Sequence, residues 1–117
     1  MLTYDIVNSK LNTLEPHSWE NDMVVEEIVK EIEDCIQQFN LTISLKTTLS
    51  TMKGSIHWHL KQERQKGVLE VTYWPKKQQI WLEIHDNRRS EWNVDVIAPL
   101  AHAIAQAFDG NAEVRED

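Results

Sequence analysis

At 117 residues, with 41% hydrophobic residues and a single cysteine, the chain has the size of one domain and can bury a core without a disulfide. No apolar run approaches the roughly 18 residues that cross a bilayer, and the N-terminus lacks the basic-then-apolar pattern of a signal peptide, so a cytoplasmic protein without membrane contact is expected. A formal net charge of −7 argues against a general phosphate-binding protein, although nine of the 12 Lys and Arg residues fall between positions 41 and 90, with acidic stretches on both sides.

Residues 1–16 carry two patterns at once. Leu2, Tyr4 and Ile6 alternate like a strand, while Tyr4, Val7, Leu11 and Leu14 fit a helical stripe. A short helix or a packed N-terminal arm is the expectation here, ended by Pro16. Over 22–39 the pattern is unambiguous: Val25, Ile28, Val29, Ile32, Ile36 and Phe39 recur at helical spacing, with acids and Lys30 on the other side. Cys35 lies beside that stripe and reads as a buried structural thiol rather than a nucleophile.

Four strands are expected between 41 and 86, separated by turns at 52–54, 63–67 and 75–77. The first directs Leu41, Ile43, Leu45, Thr47 and Leu49 to the core, the second Ile56, Trp58 and Leu60, the third Leu69, Val71 and Tyr73, and the fourth Ile80, Leu82 and Ile84. A second helix is expected to begin between Asn93 and Pro99, since proline is best tolerated in the first turn, and to run to about Phe108. Residues 111–117 read as an acidic tail without structure. The expected fold is therefore a single α+β domain over 1–117: a two-layer sandwich in which a four-stranded antiparallel meander carries both helices on one face, in the order α-β-β-β-β-α.

The strand periodicity leaves an unusual set of side chains on the outward sheet face. Symmetric hairpins give one cross-strand row of Lys46, His59, Glu70 and Glu83, another of Thr48, His57, Thr72 and Trp81, and a third of Ser44, Lys61, Val68 and His85, with Trp74 diagonal to Trp81. Two tryptophans on a face without helical cover, beside His57, His59 and His85, point first to a non-enzymatic interaction domain that binds another protein or a second copy of itself, with no cofactor. The alternative for that face is that residues 1–16 fold over it and bury both rings.

A second reading comes from chemistry. His57 and His59 are two apart on a strand, so both imidazoles point to one side, as zinc sites require, and Glu70 completes a three-ligand set with Glu83 next to it. A metal-binding protein or metal-dependent enzyme is the runner-up on this basis. The third reading is single-stranded nucleic-acid binding, with Arg64, Lys66, Arg88 and Arg89 in loops and Trp74 and Trp81 as stacking platforms. Helix–meander–helix order is similar to that of double-stranded-RNA-binding domains, in topology alone, and the second helix opens with Glu91 and Asp95, which repel phosphate. His17 and His102 fall outside all of these clusters.

Overall fold

The alternation of Leu2, Tyr4 and Ile6 wins over the helical stripe, and the N-terminus forms a strand. In the computed structural model, residues 1–15 and 17–115 are described, so Pro16 and the last two residues of the expected tail lie outside them. The elements in chain order are β1 (Leu2–Val7), α1 (Asp22–Gln38), β2 (Thr42–Thr47), β3 (Ile56–Lys61), β4 (Leu69–Trp74), β5 (Gln79–Ile84), α2 (Glu91–Ala107) and β6 (Asn111–Val114), with short 3-10 turns between several of them. Among these residues no helix is long and apolar enough to cross a membrane.

The expected α+β architecture with one antiparallel sheet is present, but the sheet has six strands rather than four, in the order β2-β3-β4-β5-β1-β6. The meander of β2 to β5 leaves the free edge of β5 with unpaired N–H and C=O groups, a template for another strand. β1 takes that edge, with Leu2 opposite Ile84 and Tyr4 opposite Leu82, and β6 pairs in turn with β1. Residues 1–7 thus extend the sheet instead of folding over its outer face. Residues 111–114, expected to be without structure, gain backbone partners in the same way, and the Arg115 guanidinium closes on the Asp5 carboxylate, with Nε 2.9 Å from Oδ2.

A β-bulge changes the faces of β2. The register against β3 shifts between Ile43 and Leu45, and one extra residue reverses every side chain that follows it. Leu45 and Thr47, expected in the core, therefore stand opposite His59 and His57 on the outer face. Lys46, expected outside, pairs with Trp58 in register and forms a 2.7 Å ion pair with Glu33 of α1. The same Glu33 carboxylate accepts the indole N–H of Trp58 at 2.8 Å. One carboxylate thus satisfies both a buried ring nitrogen and an edge-strand lysine.

Both helices follow from their sequences, one with a corrected start. The Asn21 side chain caps α1 by accepting the Met23 N–H, and Ile28, Ile32, Cys35 and Ile36 form its buried stripe. Burial, together with the charges of Asp34 and Glu31, raises the pKa of Cys35, as befits an inert thiol. The second helix starts at Glu91, two residues before the expected range, where the Asn93 side chain accepts the Ser90 N–H at 3.0 Å. Asn93 also donates to the carbonyls of Val68 and Arg88, locking the helix start to the approach to β4. Gly67, at φ +99°, makes this fit possible: a Cβ there would stand 2.5 Å from Ser90 Oγ. Pro99 lies inside the helix on its exposed side, where a freed carbonyl can be solvated.

α1 and α2 touch each other, and their buried residues join Trp58, Leu60, Leu69, Val71, Tyr73, Ile80, Leu82 and Ile84 in one hydrophobic core. Of the residues expected there, Ile56 and Leu49 are only half-buried, and Ile43, on the edge strand β2, is exposed. Trp58 fills the centre, fully buried and hydrogen-bonded. Trp58→Ala should lower the unfolding free energy by about 3–5 kcal/mol in a denaturant titration. A loss below about 1 kcal/mol would contradict the central position of this ring.

Candidate metal centre

The side chains of interest belong to the face of the sheet that carries no helix. Strand register sets them in rows: Leu45, His59, Glu70, Glu83 and Thr3 in one, Thr47, His57, Thr72, Trp81 and Asp5 in the next. The His59–Glu70–Glu83 and His57–Thr72–Trp81 alignments are those expected from symmetric hairpins. Leu45 and Thr47 replace Lys46 and Thr48 because of the bulge.

Glu70 is the centre of this face. Its side chain is only 8% exposed, yet its ion-pairing partners are all imidazoles. Oε1 lies 2.9 Å from His57 Nε2 and 3.6 Å from His59 Nε2, while Oε2 lies 3.2 Å from His85 Nε2. His85 Nε2 is in turn 4.0 Å from Glu83 Oε1. The rings of His57 and His59 meet edge to face, their centroids 5.1 Å apart. Two triads emerge, His57/His59/Glu70 and Glu70/Glu83/His85, each with its ligand atoms within 4.8 Å of one another. Metal–ligand bonds of about 2.0–2.2 Å place neighbouring ligand atoms roughly 2.8–3.6 Å apart; the three Glu70–imidazole contacts fall in that range, which hydrogen bonds share, and the His85–Glu83 separation lies outside it.

Second-layer support is present for the most enclosed ligand. His57 turns its other nitrogen, Nδ1, to Thr72 Oγ1 at 2.7 Å. That contact fixes the ring orientation and leaves Nε2 directed at Glu70; ligation through Nε2 would require its proton to sit on Nδ1, with Thr72 Oγ1 accepting it. Thr72 stood beside His57 in the hairpin register, so its place was readable from the sequence, but its orienting role follows only from the distance. Thr3 gave no such signal, because the pairing of β1 with β5 brings it onto this face.

Among the described residues, the ion pairs of Glu70 and Glu83 run only to histidines, which are charged only when protonated. Glu70 and Glu83 are also direct cross-strand neighbours, an opposition that destabilises a sheet unless a cation intervenes. Burial opposes charge on Glu70, but the His57 hydrogen bond and the nearby charges of His85, His59 and His57 prevail and hold its pKa below the ordinary glutamate range. Burial lowers the His59 pKa, against the pull of Glu70.

The two outward tryptophans differ. Trp81 is on the expected face but only 8% exposed, so it offers little open apolar area. Trp74 is half-buried, its indole N–H donating to the Lys53 carbonyl at 3.3 Å, and it lines a hollow of about 770 Å³ with Leu49, Met52, Trp81, Glu83 and Arg115. His17 and His102 are exposed and apart from the cluster, while Arg64, Lys66, Arg88 and Arg89 are exposed in turns. Comparison with protein-family models, curated proteins and solved structures returned no match. The functional argument therefore rests on this geometry.

Both shifted groups bind fewer protons in the folded than in the unfolded chain. Their stabilisation is present above the unfolded pKa values and is lost as pH falls. With a chelator present, the unfolding midpoint should drop as pH falls through 6.5 and again below 4.5, the ordinary values for these two groups. Glu70→Gln should flatten the lower limb. An unchanged lower limb in that variant would contradict the assigned environment of Glu70.

Proposed function

We propose that the chain is a divalent-metal-binding protein whose primary site is formed by His57, His59 and Glu70. The observation that carries this reading is the convergence of two imidazole Nε2 atoms on one oxygen of a buried carboxylate, at 2.9 and 3.6 Å. Three protein ligands of this type leave one coordination position for water, the arrangement in which zinc acidifies a bound water. Imidazole and carboxylate together favour zinc and neighbouring first-row ions over magnesium or calcium. The cation also offsets the charge of Glu70, which eases part of its opposition to Glu83.

The interaction-domain reading stands second. It is favoured by the half-buried Trp74 and the hollow it lines, which can take a segment of a partner or of a second copy. The burial of Trp81 removes half of the paired aromatic surface on which that reading and the nucleic-acid reading drew.

Calorimetric titration of chelator-treated protein with Zn²⁺ should show saturable binding. His59→Ala should abolish the tight phase, and Thr72→Val should weaken it by about 10–100-fold through loss of the His57 orienting bond. Absence of saturable binding by the wild type, or unchanged affinity in His59→Ala, would remove the metal reading and promote the interaction reading.

A further inference from the structure

We propose that Glu70 bridges two metal ions, the first held with His57 and His59 on Oε1 and the second with His85 and Glu83 on Oε2. This rests on the metal-binding reading above and extends it from one ion to a pair of divalent first-row cations. The two oxygens of the single carboxylate are divided between two sets of ligands: His57 and His59 approach Oε1, and His85 approaches Oε2 at 3.2 Å. Glu83 supplies the remaining ligand, its Oε1 4.0 Å from His85 Nε2. A carboxylate used on both oxygens is how two-metal sites hold their ions about 3.5–4 Å apart. One ion would leave the direct opposition of Glu70 and Glu83 only partly relieved, and a second ion between them turns that repulsion into ligation.

An independent observation points to the same place. Thr3 is 1% exposed, and its Oγ1 has no hydrogen-bond partner among the described residues. A buried hydroxyl without a partner is costly. Thr3 is the cross-strand neighbour of Glu83, on the same face of the sheet. In the row Thr3, Glu83, Glu70, His59, water carried by an ion at the Glu70/Glu83/His85 position would be the nearer partner for that hydroxyl.

The two positions are unequal in access. The His57 side chain is 5% exposed and that of His85 is 45% exposed. The first ion is enclosed, whereas the second faces solvent, and Glu83 also borders the hollow beside Trp81 and Arg115. The second ion is therefore the exchangeable one and the one a small ligand in the hollow would meet.

Zinc stoichiometry of the full chain, measured after equilibrium dialysis by elemental analysis, tests this. Two zinc ions per chain are expected in the wild type, falling to one in His85→Ala and in Glu83→Gln. A single ion in the wild type overturns the bridge while leaving the primary site standing, and no bound zinc overturns both. Two ions persisting in the His85→Ala, Glu83→Gln double variant would place the second ion elsewhere and overturn the bridge. A measurement on the unmutated protein guards against variants that fail to fold. With Co²⁺ as the probe, the paramagnetic resonance signal per cobalt should be smaller at two equivalents than at one, through exchange across the shared carboxylate. An unchanged signal per cobalt would speak for separate sites and against the bridge.

Discussion

A buried carboxylate whose ion-pair partners, among the described residues, are all imidazoles is the constraint on which the functional face depends. An ionised group taken out of water must be paired or must give up its charge. Glu70 sits in β4, which is paired on both sides, so the ladder bonds fix its backbone in the interior of the sheet. The histidines reach it from strand β3 and from the end of β5, so the sheet itself sets the spacing of the donors. A site built on strands rather than on loops is held to a narrow geometry, which metal coordination demands.

The opposite face provides the rigidity. Trp58, Val71, Leu82 and Ile84 are packed without exposure against α1 and α2. Each of these residues alternates with a functional one along its strand: Trp58 lies between His57 and His59, Val71 follows Glu70, and Leu82 precedes Glu83. A shift of one residue in register would therefore disturb the core and the site together. Burying the core face fixes the register, and the register places the ligands.

This coupling explains what could be read from the sequence. The helix over 22–38, the meander and the inward and outward faces of β3, β4 and β5 follow from periodicities of 3.6 and 2, and with them the His57, His59, Glu70 and Glu83 neighbourhood. Four features did not follow. The bulge in β2 leaves no mark on an alternating run, and the partner that rewards it, Glu33, is on a helix 13 residues before Lys46. β1 and β6 are short, and their pairing is decided by the free edge of β5, a tertiary fact. The proline rule points to a later start for α2 than the one set by the Ser90 N–H bond to the Asn93 side chain. The reach of His85 back to Glu70 was likewise hidden, since His85 lies beyond the last residue of β5.

The central claim is that imidazole and carboxylate groups of the helix-free face ligate a divalent cation. X-ray absorption at the zinc edge of the zinc-loaded protein tests it most directly. The account predicts a first shell of nitrogen and oxygen at about 2.0–2.1 Å with the outer-shell scattering of imidazole rings, and no sulfur. A sulfur shell near about 2.3 Å, which only Cys35 or a methionine could supply, or a first shell without imidazole scattering, would contradict it.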